Sequence, residues 1–219
     1  GRILSAPGPT PRTLFLPTPS IPMGLLDFLK DKGKDLFGGG GNEADDIKKE
    51  VERALGSNVQ NLTVHFNDGK VDPAGRFWFG SIAIDRTKDI LGDLYSLETD
   101  LTVTKRLSGV DNTNGMAWNA DKRKMYFIDS RTKQVSRFDY DQATGDLRSR
   151  AVFADTRDEV GVPDGMTVDA HGYVWSAGWD RSCLTRYAPD GTVQRTVEFP
   201  ARKDVAGDGP IFARALVEG

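Results

Sequence analysis

Three stretches of this chain repeat one pattern, and that repeat restricts the fold more than any other feature. Each has an Asn or Asp, then Gly, a short run, a polar turn, and an aromatic-rich strand. The first is Asn67-Asp68-Gly69-Lys70-Val71-Asp72-Pro73-Ala74-Gly75-Arg76-Phe77-Trp78. The second is Asn114-Gly115-Met116-Ala117-Trp118-Asn119-Ala120-Asp121, running on to Met125-Tyr126. The third is Asp164-Gly165-Met166-Thr167-Val168-Asp169-Ala170-His171-Gly172, running on to Val174-Trp175. Gly69, Gly115 and Gly165 lie 46 and 50 residues apart. Self-similarity at that period marks propeller blades or another stacked array, in which each unit buries its faces against its neighbours.

A second motif follows each glycine: Leu94-Tyr95-Ser96-Leu97, Val135-Ser136-Arg137-Phe138 and Leu184-Thr185-Arg186-Tyr187. With Phe77 to Ile84, Met125 to Ile128 and Tyr173 to Ala177 as further strands, each repeat supplies the strands of a four-stranded blade. Tyr187 to Val193 reads as a hairpin around a Pro-Asp-Gly turn. From Asn67 onward the chain is therefore expected to be all-β.

Upstream the pattern differs. Residues 1–22 hold six prolines and no acidic residue, a composition that buries too little to offset ordering entropy, so a disordered leader without function is expected. Residues 24–37 and 46–55 carry helical stripes, separated by a glycine linker at 38–41. Asn42 caps the second helix, with Asp45 and Asp46 in its first turn, and Gly56 stops it. Leu62, Val64 and Phe66 then alternate as a strand. Met23 to Asp31, the helix Asp46 to Leu55 and Val64 to Val71 resemble the start of a BON domain. The expected division is a leader at 1–22, a BON-like fragment at 23–66, a propeller region at 67–200 and a divergent tail at 201–219.

The formal net charge of −3 provides no basic face for nucleic acid. No apolar run reaches the length of a membrane span. Cys183 is the only cysteine, so an internal disulfide is impossible, a reducing compartment is acceptable, and a cytoplasmic location is expected. Between Ser182 and Leu184, Cys183 reads as a small strand residue rather than a nucleophile. His65 and His171 lack partners at ligand spacing, so neither reads as a metal ligand.

Residues 67 to about 200 resemble the senescence-marker-protein, regucalcin and gluconolactonase family of six-bladed propellers. The resemblance rests on the Asn67–Trp78 stretch, Asn114 to Trp118, Tyr126-Phe127-Ile128-Asp129-Ser130, Phe138-Asp139-Tyr140-Asp141 with Thr144-Gly145, Val152 to Asp155, and Val162 to Asp169. It implies a partial propeller of about three blades. It implies one divalent metal ion (Ca²⁺, Zn²⁺, Mn²⁺ or Mg²⁺) held on the axis, with Asn114 and Asp164 as ligands. Hard carboxylate and amide oxygens suit such ions. It further implies hydrolysis of a sugar lactone, with Asp164 as general base and Asn67 and Asp85 as substrate contacts. The alternative for each Asn-Gly or Asp-Gly is a simple Asx turn. Asp72, Asn119 and Asp169 fit polar turns and are given structural roles; Asp129 is left open between a second shell and a blade-stabilising acid.

The sequence departs from the family in three places. The Glu ligand of the first blade has no counterpart, His65 stands where an Arg precedes Asn67, and the text diverges after Pro200. Phe66 to Val71 fits both families and marks a fusion point. Three blades leave strand edges open to self-association. Two other readings are a non-catalytic Ca²⁺-binding or protein-interaction partial propeller and a BON-type module with the β region as passenger.

Overall fold

The computed structural model describes residue 53 and residues 64–83 and 91–199. These fold into three four-stranded antiparallel meanders. The first contains β1 (Val64–Val71), β2 (Phe77–Ala83), β3 (Gly92–Leu97) and β4 (Val103–Val110). The second contains β5 (Thr113–Trp118), β6 (Lys124–Asp129), β7 (Gln134–Tyr140) and β8 (Leu147–Asp155). The third contains β9 (Val162–Val168), β10 (Val174–Trp179), β11 (Cys183–Tyr187) and β12 (Val193–Glu198). The three glycine motifs form the first strand of each sheet, and the Leu94, Val135 and Leu184 motifs form the third. Apart from residue 53, the BON-like helices lie outside the described residues, as do Asp85, the leader and the tail. β1 runs unbroken across the boundary drawn at Asn67, since Val64, His65 and Phe66 pair with Ala83, Ile82 and Ser81 of β2.

The period of two along β6 explains how the sheets stack. Met125 and Phe127 point into a core with Trp78, Leu94, Val110, Met116, Phe138 and Tyr140, between the first and second sheets. Tyr126 and Ile128 point the other way, into a core with Ala117, Val135, Phe153, Met166, Val174 and Tyr187, between the second and third. The middle sheet is thus apolar on both faces, and each such large side chain contributes about 1.5–3 kcal/mol by its burial. The last strands face solvent with polar text: Arg148, Ser149 and Arg150 on β8, and Gln194, Arg195 and Thr196 on β12. Charged residues on an edge strand oppose unwanted pairing.

The sheets converge on their first strands, β5 lying against both β1 and β9. Glycine is required there. A Cβ on Gly115 would stand 2.5 Å from the Met166 Cβ and 2.7 Å from the Asp164 carbonyl oxygen. A Cβ on Gly80 would meet the Thr113 side chain at 2.1 Å.

The turn after each first strand carries an acid or amide at an equivalent place. Asp72 Oδ1 accepts from the Ala74 and Arg76 backbone N–H groups at 2.8 and 2.9 Å. Its Oδ2 accepts from Arg76 Nη1 at 3.1 Å, Trp78 Nε1 at 2.9 Å and the Tyr140 hydroxyl at 2.6 Å. The Tyr140 bond crosses from the second sheet to the first, as do the bonds from Arg76 to the Gln142 and Ala143 carbonyls. Asp169 repeats the pattern with His171 N, Tyr173 N, Trp175 Nε1 and Arg186. At Asn119 the residue six places on is Met125, which has no donor, and a neutral amide suffices to accept from Arg123 N and Lys124 N. Burial would push the Asp72 carboxyl up, but donors from Tyr140, Trp78 and the turn backbone outweigh it and hold it below its ordinary value. The structural roles read for these three positions follow from this geometry.

Asp72→Ala leaves the Trp78 indole N–H and the Tyr140 hydroxyl without their partner, while Arg76 keeps Glu98 and the Gln142 and Ala143 carbonyls; the loss is about 2–4 kcal/mol, whereas Asn119→Ala frees only turn N–H groups at about 1 kcal/mol. Urea unfolding midpoints of the two variants check this; equal losses would contradict it.

Candidate functional site

The opposite ends of the first strands carry the remaining sequence-singled residues. The residue preceding the repeat glycine is Asp68 on β1, Asn114 on β5 and Asp164 on β9. The three strands pack side by side, with β5 against both β1 and β9, and the pairing of each with its neighbouring second strand aligns Asn67, Asn114 and Asp164.

Asn114 is buried, and its Nδ2 donates to Ser130 Oγ at 2.8 Å. Ser130 Oγ in turn donates to the Pro163 carbonyl at 2.7 Å. The single Ser130 proton is thereby committed, so the hydroxyl must accept from Asn114 and fixes which end of the amide is nitrogen. Asn114 Oδ1 is left as the acceptor end of the amide. Asp129 supports this from behind: its carboxylate accepts from Asp111 N at 3.1 Å and Asn112 N at 3.0 Å, steering the chain into β5. That resolves Asp129 as a backbone clamp.

Burial raises the Asp164 carboxyl above its ordinary value, opposed in part by the Gly165 N–H and the Asn114 side chain. The structure thus brings Asn114 and Asp164 together. Asn67 lies at the rim, its Nδ2 donating to the Thr113 carbonyl at 2.7 Å and to Asn112 Oδ1 at 3.3 Å. Its amide nitrogen is engaged on β5, and only its Oδ1 remains for a ligand. Asp85 lies outside the described residues.

Asp68 and Lys70 also belong to this end. Asp68 Oδ1 accepts from Gly69 N at 2.7 Å. Burial pushes its carboxyl up to about 6; the Asp164 charge adds to the rise, while the Gly69 N–H and the Lys70 charge oppose it. Lys70 spans from β1 to β9, where its Nζ donates to the Met166 carbonyl at 3.3 Å. Burial lowers its ammonium, with Asp68 opposing. The pairing of β1 with β2 aligns Asn67 with Asn114 and Asp164 and sets Asp68 one residue on, beside Gly69. Ser130 carries no comparable sequence signal.

The available donors are hard oxygens on Asn114, Asp164 and Asp68, a set that suits Ca²⁺, Mg²⁺ or Mn²⁺. Among the described residues no group of three or more His, Cys, Asp or Glu side chains could hold a metal. A cation here would therefore depend on the Asn114 amide oxygen. No helix among the described residues is long and apolar enough to cross a membrane.

Residues 44–206 match the family model described as the SMP-30/Gluconolactonase/LRE-like region. The chain belongs to that family. The match takes in residues 44–66, and the BON resemblance of residues 23–66 finds no support. The chain is 37% identical over 161 residues to the pentonolactonase XacC of Haloferax volcanii, covering 73% of this chain and 54% of that protein. A luciferin-regenerating enzyme shares its fold with a TM-score of 0.61 at 32% identity, over 65% of this chain and 49% of that one. The calcium-binding protein regucalcin of Agrobacterium tumefaciens matches with a TM-score of 0.60 at 27% identity, over 64% and 48%. The chain spans about half the length of these relatives.

A carboxyl raised on folding holds a proton that the unfolded chain has lost, so stability falls as pH rises between about 4 and 6. Asp68→Asn removes that cost, stabilising the metal-free protein above pH 6 by on the order of 2 kcal/mol and losing the advantage below about pH 4. Urea unfolding at pH values from 4 to 8 reads this, and a pH-independent difference would contradict it.

Proposed function

We propose that this chain carries the catalytic face of a divalent-metal-dependent sugar lactone hydrolase. The observation supporting this most directly is the junction of Asn114 and Asp164, an oriented, buried amide hydrogen-bonded to a half-buried carboxylate. Membership of a family described by gluconolactonase, and the likeness to a pentonolactonase, support the choice of a lactone ester. Asn114 and Asp164 would hold the cation. Bound there, a divalent ion supplies Lewis acidity toward the lactone carbonyl.

Asp164 is the general base. Its raised carboxyl brings its basicity closer to the operating pH, which favours proton transfer. It takes a proton from the attacking water as the new C–O bond forms. The ring C–O bond then breaks, and the same proton passes to the departing ring oxygen, giving an open hydroxy acid. Asn67 offers Oδ1 to a sugar hydroxyl, and Asp85 is assigned as a second substrate contact from the family resemblance. Ser130 and Pro163 hold Asn114 to one orientation throughout.

The test is hydrolysis of gluconolactone and a pentonolactone with Ca²⁺, Mn²⁺ or Zn²⁺ added. Turnover that requires the ion and falls by about 10²-fold or more in Asp164→Ala is expected, general-base removal alone accounting for that much. Folded protein that binds the ion yet turns over neither lactone would leave a cation-binding module and overturn the hydrolase reading.

A further inference from the structure

We propose that the stretch 46–55, helical by its sequence pattern, docks on the outer face of the first sheet. Ile47, Val51 and Leu55 would rest there on an aromatic floor, and the stack would end in a polar cap. The proposal does not depend on the cation site.

The floor follows from the alternation of β2 and β3. Trp78 and Leu94 point to the second sheet, so Phe77 and Phe79 on β2, with Tyr95 and Leu97 on β3, point away from it. Phe77 pairs with Leu97 and Phe79 with Tyr95. The Phe79 ring stacks on Phe77 at 5.9 Å and on Tyr95 at 5.6 Å, and Val103 on β4 continues the face opposite Leu97. The second sheet covers the other face, and the third packs on the second. Yet Phe77, Phe79, Tyr95, Leu97 and Val103 are only 1–8% exposed. Rings that stand out from a pleated sheet stay open to water on their outer side unless another part of the molecule lies over them. This face is therefore covered by chain outside the three sheets.

The cover must be apolar on one side, polar on the other, and about as long as the sheet is wide. Ile47, Val51 and Leu55 recur every four residues and make one stripe, with Lys49 and Arg53 on the opposite side. Arg53 is helical and exposed in the structure, as a residue on the solvent side of such a docked helix would be. Ten helical residues extend about 15 Å, and four strands span about 14 Å from first to last. Residues 56–63 lead from the stretch to β1 and can reach about 26 Å, enough to lay it across the sheet. The family match begins at residue 44, so it takes in this stretch and leaves out the other apolar stripe, at 24–37. Residues 84–90 only bridge β2 and β3, and residues 200–219 follow the third sheet, at the far end of the stack. Stacked repeats need such a terminal cap, because an end unit would otherwise leave its apolar face in water.

Thermal melting of the full chain tests the docking. Val51→Asp sets a charge against the rings and is expected to lower the melting temperature by roughly 10 °C. Lys49→Asp, on the opposite side of the same helix, is expected to change it by no more than about 2 °C. Equal shifts in the two variants would overturn the proposal. A double-mutant cycle of Val51→Ala with Phe79→Leu reads the contact itself, by urea midpoints that shift less than additively. Additive shifts would overturn the contact, and this cycle decides the matter should Val51→Asp fail to fold. A loss in Leu29→Asp with Val51→Asp unchanged would give the floor to residues 24–37 instead. A melting temperature that climbs with protein concentration and drops to a common low value on dilution would give it to a second copy of the chain. Either result contradicts the assignment.

Discussion

The absence of a side chain at Gly115 sets the geometry on which the rest of the molecule depends. With the Met166 Cβ and the Asp164 carbonyl both within 2.7 Å of where a Cβ would be, β5 and β9 approach closer than any other residue allows. That approach brings Asn114 to Asp164 and lets Lys70 cross from β1 to β9. It also seats Met166 in the apolar layer beside Ala117. A glycine in a strand ordinarily weakens it; here the loss is offset by burial on both sides of the middle sheet.

The two ends of the first strands are built on opposite principles. At the turn end, Asp72 and Asp169 meet enough donors to stay ionised despite burial. The cross-sheet Tyr140 and Arg76 bonds make that end a clamp. At the other end, Asp164 and Asp68 are half-buried with too few donors, and both are raised. An undercompensated pair of carboxylates is a stability cost, and such costs concentrate where a ligand binds. One end stabilises the stack, and the other is held ready by it.

Much of this was legible in the sequence because each blade-like repeat solves the same packing problem with the same residue types. The glycine period located every first strand, the Leu94, Val135 and Leu184 motifs located every third, and Cys183 is indeed a buried free thiol on β11. The Asp72 and Asp169 roles could be read because turn chemistry is local. Asn67 aligns with Asn114 and Asp164 as the motif implies, but its amide is engaged on the Thr113 carbonyl of β5, a contact that no local pattern announces. Ser130 and the Arg76–Gln142 contact join residues 16 and 66 positions apart, and no local pattern announces such pairs. The division at residue 67 was drawn where two resemblances overlap, whereas pairing with β2 treats Val64–Val71 as one strand.

The central claim is that equivalent positions of neighbouring first strands converge on one cation site. Anomalous diffraction from crystals soaked in Mn²⁺ tests it most directly. The account predicts a single ordered peak within about 2.0–2.5 Å of Asn114 Oδ1 and the Asp164 carboxylate, the span of oxygen–metal bonds for hard cations. An ordered site with Asn114 Oδ1 turned away from the ion, or a peak elsewhere on the molecule, would contradict it.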